Sequence, residues 1–167
     1  MIEFKNCEEC KNIEVAKPFV LKTYELLKNE FSLDVLDIEI VQIQDSLNLN
    51  SINFMSSLSG PVNASLLFSF QKSLAKKLLH QFPYLEYSTD MEDELSIETV
   101  SEFLNIVIGN AMADIHSDTR LTFSPPLELS GESKLFNNKN FYVCKIKLTL
   151  KEGNMMIIFS TSKQKDS

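Results

Sequence analysis

A carboxylate at Glu102, a carboxamide at Asn105 and a glycine at Gly109 follow one another at helical-turn spacing in the segment IETVSEFLNIVIGNAMADI, residues 97–115. At 100° per residue they share a line with Glu98 and Met112, set roughly 100–160° from the apolar stripe of the same segment. That stripe, Ile97, Val100, Leu104, Val107, Ile108, Ala111 and Ile115, falls within about 100° of arc and predicts the buried side of a helix. The second line is therefore expected to face solvent. A carboxylate pairs with cations, whereas a carboxamide both accepts and donates hydrogen bonds without carrying charge. Asn is a mediocre helix former, and glycine inside a helix costs about 1 kcal/mol relative to Ala. The cost is offset if Gly109 leaves a shallow notch where another backbone comes close to the Asn105 amide and the Glu102 carboxylate. The segment is expected to be a docking helix, with Glu98, Gly109 and Met112 as contacts to a partner.

No self-contained catalytic apparatus accompanies this face. The chain lacks a Gly-rich phosphate loop, an H-E-x-x-H and a G-x-S-x-G. His80 and His116 have no carboxylate or cysteine at ligand spacing, so no metal site is expected. Cys7 and Cys10 form one C-x-x-C without the second pair that zinc needs, and it reads as coincidence; Cys144 reads as core filling. Three cysteines in a chain with a well-filled core do not suggest a disulfide framework. With 16 basic against 23 acidic residues, a net charge of −7 and no basic face, neither nucleic acid nor an anionic membrane surface is an expected partner. Apolar runs are only a few residues long and the first twenty residues carry charges throughout. Neither a membrane span nor a secretory signal is expected, and the protein reads as cytoplasmic.

The elements that must hold the docking helix are legible in order. The 167 residues, 44% hydrophobic with twelve Phe, suit one domain with a substantial core. Residues 1–12 read as an N-terminal extension, 13–161 as the domain and 162–167 as a frayed tail. Pro18 fits the first turn of a helix reaching about Glu30. Val35–Gln44 and Ile52–Leu58 alternate as strands, and Val62–Phe70, after the Gly60-Pro61 turn, is the clearest strand, with one face buried and one mostly polar. Ser73–Phe82 is a short amphipathic helix. Tyr84–Glu94 is acidic and irregular, and Thr89 with Glu92 offers a capping box for the long helix. Pro125-Pro126 excludes a helix and fits an edge; Leu127–Gly131, Phe141–Leu150 and Asn154–Thr161 are strands, the last two joined as a hairpin through Lys151-Glu152-Gly153. The order α-β-β-β-α-α-β-β-β predicts an α+β fold, an antiparallel β-sheet with helices packed on one face.

Glu102, Asn105 and the pair Gly109-Asn110 spell E-x-x-N-x-x-x-G-N, which resembles the signature helix of the CheX/CheC chemotaxis phosphatases. Pro18-Phe19 in the first helix, Gly60 before a V-x-A-x-L-x-F strand, and Ser124-Pro125-Pro126 after the long helix extend the resemblance over roughly residues 13–161. The resemblance implies a CheC/CheX-like fold and a protein aspartyl-phosphate phosphatase, a hydrolase of two-component signalling in chemotaxis. Its active site would be two side chains, Asn105 orienting the attacking water and Glu102 pairing with a lysine of a phosphorylated CheY-type receiver domain. The protein would need no cofactor of its own, the Mg²⁺ being supplied by the receiver. A homodimer joined through sheet edges is also implied. A second E-x-x-N at Glu9 and Asn12 has Ala16 where the glycine belongs and reads as chance, leaving one site per chain. The alternative is a non-catalytic CheX-like adaptor that uses the same helix to bind a receiver or a flagellar-switch partner.

Overall fold

In the computed structural model of the chain, Cys10 and residues 13–81, 88–115, 120–131 and 134–163 are described. The readings made above for Cys7, for Glu9 and Asn12, for His116, for Phe82, for part of the acidic stretch (residues 84–87) and for the last four residues lie outside the described residues.

The described residues form helices α1 (Ile13–Asn29), α2 (Lys72–His80) and α3 (Glu92–Asp114), with a short 3-10 turn, Thr89–Met91, leading into α3. The strands are β1 (Val35–Gln42), β2 (Ser46–Asn48), β3 (Ile52–Ser59), β4 (Ala64–Phe70), β5 (Thr122–Phe123), β6 (Leu127–Glu128), β7 (Lys134–Phe136), β8 (Phe141–Leu150) and β9 (Gly153–Ser162). The main sheet runs β1-β8-β9-β4-β3, with β5 and β6 both paired to the outer edge of β3, and all of its pairings are antiparallel. β5 and β6 amount to one edge strand interrupted at Pro125-Pro126, which cannot donate to the ladder. This is the expected α+β order with three short additions, β2, β5 and β7, of two or three residues each.

Period-two alternation decides which side chains meet the helices. Leu66, Phe68 and Phe70 of β4 and Met155, Ile157 and Phe159 of β9 share a buried cluster with residues of all three helices. The second, mostly polar face of β4 is not left open to solvent, because Leu67 and Ser69 are buried as well. β4 lies in the sheet interior, and Leu67 joins Val143, Met156 and Ile158 in a second cluster, against which Leu47 of β2 and Leu135 of β7 pack. The small β2–β7 sheet thus covers part of the face the helices leave free. The β8–β9 turn is closed against α2: Gly153 has φ +142°, and a Cβ there would meet Ser73 Oγ at 2.7 Å. The turn requires glycine.

Pro18 does not open α1. The helix starts five residues earlier, so the ring removes only the bond to the carbonyl of Glu14, an exposed residue of the first turn where water can replace it. A larger correction concerns the cysteines, because Cys144 on β8 is disulfide-bonded to Cys10, with 5.9 Å between the Cα atoms, inside the range a disulfide spans. Cys144 is therefore not simple core filling, and Cys10 pairs outside its C-x-x-C. A separation of 134 residues leaves no local spacing to read. Closing so long a loop stabilises the fold by about 2–5 kcal/mol. Reduction should accordingly lower Tm by roughly 5–15 °C. An unchanged Tm, with thiol counting by mass spectrometry showing complete reduction, would contradict the pairing.

Candidate active site

α3 lies between α1 and α2 and sends one broad side into the core. Val100, Leu104, Val107, Ile108 and Ala111 are buried as the stripe requires, and Ser96, Thr99 and Phe103 widen it. The two hydroxyls are accommodated because each donates back along the helix, Ser96 to the Glu92 carbonyl at 2.6 Å and Thr99 to the Leu95 carbonyl at 2.7 Å. Phe103 is fully buried between aromatic neighbours, 5.7 Å from Phe31 and 6.0 Å from Phe70 between ring centroids, the latter edge-on.

Both ends of the helix are tied to the neighbouring helices by ion pairs. Glu92 accepts from Lys76 at 2.9 Å and lies 2.8 Å from His80 Nε2, while Asp93 accepts from Lys72 at 2.5 Å. At the other end Lys22 of α1 reaches Asp114 at 2.8 Å. Hydrogen bonds from Lys76, then His80, hold the Glu92 carboxyl below its ordinary pKa; the bond from Lys72 does the same for Asp93. Bonds to Asp114 and Glu25 raise the Lys22 ammonium. The expected capping box does not form. Met91 occupies the N-cap without a side-chain cap bond, because Glu92 is the first helical residue and its carboxylate is turned to α2. Acidic residues in that first turn still suit the helix dipole.

Between these clamped ends the outer face is unsatisfied. Glu98, Glu102, Asn105 and Gly109 are exposed, and neither Glu102 nor Asn105 makes a side-chain hydrogen bond or ion pair with another described residue. The structure thus places the carboxylate and the amide one turn apart on one open surface. Met112, expected on the same line, is half-buried and packs against the core. A Cβ on Gly109 would meet nothing within 4 Å, so internal packing does not demand a glycine there. Gly109→Ala should raise stability by some tenths to about 1 kcal/mol. Gly109→Gln should keep the fold and obstruct docking. Thermal denaturation of both, beside their affinity for a receiver domain, checks the pair; early unfolding of both would show a buried role for the glycine.

One member of this face was missed. Ile106 is 42% exposed beside Asn105, and its signal was available, since an isoleucine next to the motif lies off the apolar stripe. Among the described residues no group of three or more His, Cys, Asp or Glu is arranged to hold a metal ion, and no helix is long and apolar enough to cross a membrane.

Three helices on one face of an antiparallel sheet, the middle one presenting Glu102 and Asn105 outward, define a CheC-like α+β domain. Residues 52–147, more than half of the chain, match the family Chemotaxis phosphatase CheX, and the chain belongs to that family. Its fold is similar to that of the chemotaxis protein CheX from Desulfovibrio desulfuricans, 19% identical, covering 88% of this chain and 98% of that one with a TM-score of 0.70. A chain of the CheX-CheY-BeF3-Mg²⁺ complex from Borrelia burgdorferi is 17% identical, with 92% and 100% covered and a TM-score of 0.67. The likeness extends to a chain of the FliM-SpeE complex from H. pylori, 9% identical, with 94% and 89% covered and a TM-score of 0.53. No curated protein matches the chain.

Proposed function

We propose that the outer face of α3 docks a phosphorylated CheY-type receiver domain and hydrolyses its aspartyl phosphate, ending a chemotaxis or motility signal. The observation that carries this reading is the contrast along one helix. Glu92, Asp93 and Asp114 at its ends are paired within the chain, while Glu102 and Asn105 at its middle have no described partner. Membership of the CheX family and the Borrelia complex with CheY, which contains BeF3 and Mg²⁺, support the choice of partner.

The work left to this chain is positional. The Asn105 oxygen accepts a hydrogen bond from water and its nitrogen can donate, so the amide can hold a water in line with the bond from phosphorus to the aspartyl oxygen. Water oxygen then bonds to phosphorus, the aspartate carboxylate leaves, and inorganic phosphate is released. An amide avoids the repulsion that a carboxylate at position 105 would bring to a phosphoryl group. Glu102 pairs with a receiver lysine and fixes the register of docking. The receiver supplies the Mg²⁺ that balances phosphate charge. A hundredfold acceleration needs about 2.7 kcal/mol, within what positioning provides. The rival reading, a non-catalytic adaptor, has behind it the fold likeness to the FliM-SpeE chain; the intact Glu102 and Asn105 pair favours hydrolysis.

Glu102→Ala should weaken binding to a CheY-type receiver loaded with BeF3⁻ and Mg²⁺ by roughly 10- to 100-fold, the value of one charge-assisted hydrogen bond. Calorimetric titration measures it, and parental affinity in the variant would refute the docking register. A homodimer through sheet edges belongs to the same proposal: among the described residues β1, eight residues long, is the edge strand of the main sheet, and light scattering of the purified protein tests it.

A further inference from the structure

Projected down α3, Glu102 and Gly109 lie along the crest of the exposed face, and Asn105 and Ile106 stand about 50° to either side. Gly109 is the floor of the notch, open because nothing would meet a Cβ there within 4 Å. Its two walls differ in kind: Asn105 is polar and Ile106 apolar, both exposed. The face also carries uncompensated negative charge, since Glu98 and Glu102 lack the lysines that pair with Glu92, Asp93 and Asp114.

We infer that Ile106 is the apolar anchor of the docking notch, seating a receiver segment that brings a cation to Glu102 and an apolar side chain against Ile106. The inference rests on the docking reading given above and adds what the partner must carry. Charge complementarity selects the cation. The apolar contact does the rest, because excluding water beside the ion pair lowers the local dielectric and strengthens it. On the far side of the crest from Asn105, Ile106 also shields one flank of the notch from bulk solvent. It acts through the seating of the partner and is a positioning residue.

Steady-state hydrolysis of a phosphorylated CheY-type receiver by Ile106→Ala, Ile106→Gln and Ile106→Val tests this. Losing roughly half of an isoleucine's burial corresponds to about a tenfold rise in KM for Ala. Gln, of similar length but polar, should lose as much, and Val should stay within about threefold of the parent. The kcat of all three should remain within about twofold, the signature of binding lost without loss of transition-state chemistry. Thermal melts within a few degrees of the parent would exclude unfolding as the cause. If Ile106→Ala and Ile106→Gln keep the parental KM while Asn105→Ala is inactive, the anchor is overturned and the docking reading stands. If Asn105→Ala also keeps parental kinetics, both fall.

Discussion

Asn105→Ala should lower turnover of a phosphorylated receiver at least about a hundredfold while leaving its affinity for the BeF3⁻-loaded receiver within a few fold. The separation follows from the roles: an amide that only holds the attacking water contributes to the transition state and little to the docked ground state. Asn105→Asp should be almost as inactive, because it restores hydrogen-bond acceptance and adds repulsion toward the phosphoryl group. Neither change threatens the fold. Position 105 is exposed on the helix, and Ala is the better helix former. Phosphate release measured beside binding separates the cases, and full activity in Asn105→Ala would remove it from the active site.

Phe103→Ala, two residues away on the same helix, should have a large effect of a different kind. Its ring is fully buried against Phe31 and Phe70, so truncation leaves a cavity where α3 meets the sheet and costs about 3–5 kcal/mol. For a domain this size Tm should fall by roughly 6–20 °C. Below that lowered Tm, the folded fraction should keep parental kcat, since the buried Phe103 ring lies about 120° around the helix from the notch floor at Gly109. A melt and an activity assay at two temperatures check this; a variant that melts like the parent would mean that the Phe103 side of α3 is not core.

Several of these positions are legible in the sequence, for physical reasons. The α3 stripe was legible because seven apolar residues at helical spacing leave one way to bury them, and Glu102, Asn105 and Gly109 stood out by lying off that stripe. Strands β1, β3, β4, β8 and β9 were legible from alternation and from Gly60-Pro61 and Gly153 at the turns. What could not be read depends on segments distant in the chain. Leu67 gives no hint that Leu47 and Leu135 lie near it, and Cys10 none that Cys144 is its partner. Local rules failed where tertiary contacts competed with them: Glu92 leaves the capping box for Lys76 and His80, and α1 runs through Pro18 because its flanking residues pack on the core. Ile106 was overlooked for another reason. An apolar residue beside an apolar stripe is easily counted with it, though its angle on the helix sets it apart.

The central claim is that α3 presents a water-positioning site to a receiver's aspartyl phosphate, and the lifetime of that phosphate tests it most directly. A CheY-type receiver is phosphorylated with a small phosphodonor in Mg²⁺, freed of the donor, and its inorganic phosphate followed with and without the purified protein. Catalytic amounts of the parent should shorten the lifetime by tenfold or more, and Asn105→Ala at the same concentration should not. A lifetime unchanged by the parent protein, when binding to the BeF3⁻-loaded receiver is measurable in the same preparation, would contradict catalysis and leave α3 as a binding surface.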